Sequence, residues 1–475
     1  MRRSVLRSTD RSAQFLDADL VARGVPDGAV ANPVDMDVMS VSLRGIGDAP
    51  VVYYTDPLRM FAHLNDVHGA DAVNGMAMLM AWSQAPTRAM GRFEAARPPK
   101  SLDEMYACAT NEFERSSITD LLFASVTDVL DRYLPDNGRH GALRGMLAFL
   151  AANTTYRGPA TPGSAAALAF GLAVPDENAV LMRKLRGGIG TLTAHLEELF
   201  TSGGGELRLR SEVTEILSAD GGVTGVRIAD GSTFDAPIVV SCVAPDLTLT
   251  SLVSPEAAPA DVRERFSRVD HRGSYVQMHF ALDGAPKFAE PYGLLNDPTM
   301  QAAIGLFSTP EELQQQWEDC RRGIVPADPA VAFQIPSAQD PDLAPPGKHA
   351  ASAFSLWFPI EADRADHARL KAEMGQCVID KITRLAPDFE GLITKHTTFT
   401  PRHMGTMFGA PGGDYCHGLI HPEQMGPNRA GPRGHADLPL GIEGLYLGSA
   451  GCHGGPGITF IPGYNAATQA LADKA

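Results

Sequence analysis

The residues with the clearest chemical potential lie at the end of the chain. Gly444-Leu-Tyr-Leu447 is a short apolar run, and Gly448-Ser-Ala-Gly-Cys-His-Gly-Gly-Pro-Gly457 is a glycine-dense turn. Ile461-Pro-Gly-Tyr-Asn-Ala-Ala-Thr-Gln-Ala-Leu471 then reads as the start of a helix. A strand, a glycine-rich turn and a helix N-terminus bring backbone N–H groups close to a ligand. Glycine permits positive φ and close approach, and the free N–H groups of a helix start favour negative charge. The candidate binding residues are Gly448, Ser449, Ala450, His453, Gly454, Gly455, Pro456, Gly457, Ile458 and Asn465. A tight structural turn before a terminal helix would use the same glycines, and spacing alone leaves both readings standing. His453 is either a ligand-facing group or a structural histidine, and Tyr464 and Asn465 either line the site or pack the helix start. Cys452 reads as a small buried hydrophobe before it reads as a reactive thiol.

The elements that must position this turn form a compact α/β unit. Arg186-Gly-Gly-Ile-Gly190 leads into a helix over 191–200, with Gly190 or Thr191 as N-cap and Gly203-Gly-Gly205 as its stop. Leu207 and Leu209 alternate with Glu206, Arg208 and Arg210, the pattern of a half-buried strand. The runs 213–217 and 223–228 flank Ala219-Asp-Gly-Gly222, a hairpin signal, and Pro237-Ile-Val-Val-Ser-Cys242 predicts a strand buried on both faces. The first third is predicted mainly helical: 57–93, 101–134 and a helix from about Gly141 to near Asn153, after short strands and loops in 20–55. Strands are predicted over 275–282 and 351–358, helices over 310–322 and 363–385, and a long loop or lid over 401–439.

With 475 residues, two or three domains are expected. The net charge of −16 disfavours nucleic acid as a partner. The six cysteines are scattered with no C-x-x-C pair, which argues against a disulfide framework or structural zinc and fits a reducing cytosol. Arg2, Arg3, Arg7 and Arg11 among serines have the flavour of an organelle transit peptide, but Asp10 interrupts them and no apolar segment makes a secretory signal. No apolar run reaches the ~18–20 residues of a membrane span. Cys416, His417, His421 and Glu423 can be read as metal ligands, but a Gly/Pro loop without a second ligand pair speaks against it. Met76, Met78 and Met80 read as plastic core, although methionine-lined cavities suit long flexible apolar ligands. Neither a G-x-S-x-G elbow nor H-E-x-x-H occurs.

The tail, from Leu445 to Ile458 and from Pro462 to Ala467, resembles the C-terminal FAD motif of phytoene-desaturase-like flavoproteins, a group that includes the pyridine nucleotide-disulphide oxidoreductase domain proteins. Leu185-Arg-Gly-Gly-Ile-Gly190 with Glu212-Val213 resembles their central FAD segment, and Gly412-Gly-Asp-Tyr-Cys-His-Gly418 a stretch near their active site. The resemblance implies FAD as cofactor, held by Gly187, Gly188, a backbone contact at Val213 to the adenine end, and the tail residues named above. It also implies an opening G-x-G-x-x-G unit. No such spacing occurs here, and Gly45-Ile-Gly47 has Pro50 in the third place. The expectation is an N-terminally truncated Rossmann-like FAD domain.

The resulting picture is an α/β two-domain FAD-dependent flavoprotein with a mixed α+β substrate domain. Residues 1–177 form the helical part of the substrate domain, 178–255 the central FAD segment, 256–430 the substrate sheet and lid, and 431–475 the C-terminal FAD segment. The implied activity is hydride transfer between a small apolar substrate, isoprenoid or lipid-like, and the flavin, with no named catalytic acid or base. The implied location is the cytoplasm, with peripheral contact to a bilayer left open. One alternative is amine oxidation, which wants an aromatic cage, yet no paired Tyr or Trp stands near the tail. The other is a scaffold without flavin.

Overall fold

The computed structural model describes residues 33–34, 36–43, 50–173, 184–362 and 364–474. The Arg/Ser-rich start, Gly45, Gly47, Asp363 and the 177/178 boundary lie outside the described residues.

One seven-stranded sheet runs in the order Ile393–Phe399, Tyr275–Leu282, His349–Leu356, Val331–Gln334, Ile304–Leu306, Val38–Leu43 and Val51–Tyr54. Every pairing is antiparallel except Ile304–Leu306 with Val38–Leu43. Val276, Met278, Phe280 and Leu282 recur at every second residue and are all buried, so one face of this strand carries the core. They pack with Leu370, Met374, Val378 and Ile382 from the helix Arg364–Thr383.

The helical first third is more broken than its periodicity predicts. Residues 57–90 form two helices, Pro57–His68 and Ala70–Met90, parted at Gly69. Residues 102–133 form three: Leu102–Ala107, Glu112–Phe123 and Val126–Tyr133, restarted by side-chain caps from Ser101, Asn111 and Ser125. Gly141–Thr155 follows as predicted, and the apolar run at Ala165–Leu172 is a buried helix as well. These helices close over Trp82, Leu143, Phe149 and, from the sheet side, Phe307 and Trp357.

A third core joins distant parts of the chain: Ile216, Leu249, Val262 and Phe266 pack with Leu440, Leu445, Leu447 and Cys452. The hairpin Val213–Ala219 and Gly222–Ile228 forms as predicted and is extended by Thr233–Asp235. Leu445–Leu447 pairs in parallel with Val239–Ser241.

Several expectations need correction. No strand forms at 206–210; Leu207 and Leu209 are 46% and 74% exposed, and Arg210 has φ 59, which breaks an extended run. Alternation is necessary for a strand, but a partner is also required. The run 237–242 yields only Val239–Ser241, and Val240 is 40% exposed, so one of its two faces is open. Ile189, not Gly190 or Thr191, is the N-cap of the helix Gly190–Ser202. The stretch 401–439 begins with the helix Pro401–Phe408, continues as short turns and ends in the antiparallel pair Gly434–His435 and Leu438–Pro439. Among the described residues, no helix is long and apolar enough to cross a membrane.

Candidate active site

The tail folds as strand, turn and helix, because Leu445–Leu447 is buried, the turn is rich in glycine, and Ile461–Ala472 can begin with Pro462 inside its first turn. Gly454 has φ 95, and a Cβ there would lie 2.6 Å from the Ile461 side chain, so only glycine fits. Ile458 and Phe460, neither of them glycine, also hold left-handed backbones, at φ 56 and 60. Left-handed conformations are costly for bulky residues, and strain of this kind gathers at functional sites. The helix N-terminus has no side-chain cap. Buried Asn465 accepts the Ala96 N–H at 2.6 Å through its carbonyl oxygen, while its Nδ2 has no partner among the described residues.

The turn is pinned by Arg429, which is 7% exposed. Its guanidinium donates to the carbonyls of Cys452, Gly418, Gln424, Cys416 and Ala450. This joins the turn to the loop 412–418, so the family-like stretch around Asp414 is brought against the tail in space. A second buried cation, Arg92, donates to Phe170 O and Pro456 O at 2.6 and 3.1 Å, and burial lowers its pKa to about 9. Two buried guanidiniums beside an uncapped helix start make a surrounding that favours negative charge.

The loop 412–418 is held from behind. Asp414 is fully buried and accepts the N–H groups of Cys416 and Gly418 at 2.8 and 2.7 Å. His271 stands between Asp246, 2.9 Å from Nε2, and Asp414, 3.4 Å from Nδ1. Burial alone would lower its pKa, but the two carboxylates outweigh this and raise it to about 9. His271 is therefore an imidazolium at neutral pH.

The same loop carries Tyr415 to Tyr156 and Tyr275. Ring centroids lie 5.2 Å apart for Tyr275 and Tyr415 and 5.9 Å for Tyr156 and Tyr275, with Phe354 5.6 Å from Tyr275. Tyr415 donates to Asn153 O and Tyr275 to Gly413 O. Tyr415 keeps 36% of its surface accessible, and burial of its hydroxyl raises its pKa. Tertiary contacts thus gather three tyrosines at the loop that Arg429 ties to the turn.

Not every candidate converges. Gly448, Ser449, Ala450, His453, Gly454, Gly455, Pro456, Gly457, Ile458 and Asn465 share the turn and helix start. Gly187 instead donates to Asp340 at 2.6 Å, Gly188 to Leu185 O, and Val213 pairs with Ile228. None of these three is bonded to the turn among the described residues. His453 is pushed down to about 4 by burial and nearby Lys100 and Arg429, and is a neutral imidazole. Burial pushes the Cys452 thiol up to about 11, so it is not a thiolate. His421 lies near Glu423, at 3.7 Å, and bonds to Pro162 O. Among the described residues, no group of three or more His, Cys, Asp or Glu is placed to hold a metal. Arg92, Arg429 and His271 escape motif reading, whereas Asp414 lies in the family-like stretch 412–418; an arginine in the otherwise uncharged stretch 424–432 is the one local signal that could flag Arg429.

These features fit a flavin dinucleotide. The glycine backbone allows close approach, Asn465 Nδ2 lacks an acceptor among the described residues, and the charge surroundings favour an anion.

The comparisons with known proteins agree. A profile for the flavin containing amine oxidoreductases matches residues 104–404. The chain is 28% identical over 362 residues to the rat pyridine nucleotide-disulfide oxidoreductase domain-containing protein 2, covering 74% of this chain and 61% of that protein. It is 25% identical over 286 residues to a neurosporene-forming phytoene desaturase of Rhodobacter capsulatus, covering 58% and 51%. A redesigned putrescine oxidase shares the two-domain fold at TM-score 0.57 and 12% identity, over 97% of this chain and 87% of that one. The chain thus spans 61% and 51% of the length of these two curated relatives, and the family and relatives imply FAD as cofactor. With the glycine turn, its arginine clamp and a profile match over most of its length, this chain belongs to the family of flavin containing amine oxidoreductases.

Proposed function

We propose that the chain is an FAD-dependent oxidoreductase that transfers a hydride between a carbon of an apolar, isoprenoid- or lipid-like substrate and the flavin. FAD, when bound, supplies the hydride acceptor. The chain's own part is to hold the cofactor at Gly448–Ile458 and Asn465, to orient the substrate, and to exclude water. In the desaturating direction the substrate loses a hydride from one carbon and a proton from the next, leaving a C=C bond.

The observation that carries this reading is the state of the ionisable groups beside Tyr415. Both oxygens of Asp414 are engaged by backbone N–H groups, with the His271 imidazolium alongside. His453 is neutral and burial holds the Cys416 thiol protonated. A desolvated ammonium substrate would meet no free carboxylate on this loop, whereas an apolar substrate asks for none. Oxidation of an amine is the second reading, favoured by the Tyr156–Tyr275–Tyr415 cluster.

The test is to purify the chain, denature it and measure released flavin, then follow flavin bleaching without oxygen on adding a polyene precursor or a primary amine. Stoichiometric FAD and bleaching by the polyene are expected. Bleaching by the amine alone moves the second reading forward, and a folded, colourless protein leaves the scaffold reading.

A further inference from the structure

We infer that a small methionine-lined pocket, whose walls continue into residues that touch the glycine turn, receives the hydrocarbon chain end of the substrate; this rests on the proposed function and names a subsite for it. The pocket lies between the helices Ala70–Met90, Leu102–Ala107, Glu112–Phe123 and Ala165–Leu172 and the loop around Met425. Its walls include Met90, Leu102, Met105, Leu122, Ala166 and Met425, and among the described residues no charged side chain lines it. The one polar side chain there, Asn428, uses its amide to bond Pro422 O. Pockets with apolar walls favour hydrocarbon over water.

Three walls continue directly into residues that touch the turn. Two residues beyond Met90, Arg92 donates to Pro456 O. One helical turn beyond Ala166, about 6 Å along the axis, the Phe170 ring lies 3.4 Å from where a Gly455 Cβ would stand. Next to Asn428, Arg429 donates to Ala450 O. The pocket is therefore built on the framework that holds the turn.

Size selects the occupant. The volume is about 100 Å³, below the ~150 Å³ that holds benzene. A chain end of a few carbons fits, and a ring does not. Flexible methionine side chains can adapt to a linear or a methyl-branched end. The wall residue Leu102 is 50% exposed, so the pocket presents an apolar side chain to solvent.

Burying three or four carbons is worth roughly 50- to 200-fold in affinity. The test uses the full chain with ¹³C-methyl methionine, titrated with farnesol and, separately, dodecanol. Both are expected to shift the methyl signals of Met90, Met105 and Met425 and to leave those of exposed Met78 and Met407 unmoved. A preference for farnesol would mark a prenyl chain end, and a preference for dodecanol an acyl one. Leu102→Asp in the exposed wall and Met425→Trp in the half-buried loop are each expected to weaken binding at least about tenfold without changing flavin content. Unshifted pocket methyls, or affinities within about twofold of wild type in both variants, would overturn the proposal. Pocket shifts without flavin turnover would uphold the subsite and remove the hydride-transfer reading; turnover without such shifts would do the reverse.

Discussion

Replacing His271 with glutamine tests the charge state on which the loop 412–418 depends. The imidazole is 7% exposed and faces Asp246 and Asp414, with His417 nearby on the same loop. Its folded pKa of about 9 exceeds the ~6.5 of an unfolded histidine. A raised pKa means that the protonated form favours folding. The contribution is fully present below the unfolded value and is lost as pH rises through the folded one. A folded pKa of about 9 against ~6.5 unfolded corresponds to about 3 kcal/mol. Glutamine can keep a hydrogen bond to Asp246 but carries no charge at any pH. The stability gap between wild type and His271→Gln should therefore shrink by about 3 kcal/mol between roughly pH 6 and pH 9.5. Carboxylates do not titrate in that window, and comparison with the variant cancels groups common to both proteins. The assay is urea unfolding of both proteins followed by circular dichroism, with the His271 Cε1–H resonance titrated in parallel. A gap constant to within about 0.5 kcal/mol across the window, or a ring that titrates near 6.5, would refute the imidazolium assignment.

Gly454→Ala forces a methyl to within 2.6 Å of Ile461 at a left-handed position; it should abolish flavin retention while far-UV circular dichroism stays native-like, and full flavin content would show that the turn does not need its glycine. Arg429→Met leaves up to five carbonyls without their donor; a loss of about 3–5 kcal/mol is expected on urea unfolding, and a loss under about 1 kcal/mol would mean that the clamp is dispensable. Ser125→Ala removes a capping box at the start of Val126–Tyr133; about 1 kcal/mol should be lost, with flavin content unchanged, and a drop in flavin would tie this remote helix to the site.

What the sequence determines here is local. The glycine turn and its flanking strand and helix, the hairpin around Asp220-Gly221, and the helix Pro310–Arg321 with its Thr309–Glu312 capping box all follow from residues a few positions apart. Turn chemistry, caps and burial period act over that range, so these elements are legible without a fold. The tail half of the candidate site is legible for the same reason. The rest is decided by tertiary structure. Arg429 reaches across 11 to 23 residues of sequence to the loop and the turn, Arg92 across 364 to Pro456, and Tyr275 across 138 to Gly413. His271 becomes an imidazolium only because Asp246 and Asp414 arrive from separate segments. Leu207 and Leu209 show the converse: their alternation predicts a strand, yet they stand exposed with no strand paired to them among the described residues. Spacing along the chain expresses what a backbone can adopt, whereas charge state, pairing and enclosure depend on which distant groups are brought within a few ångströms.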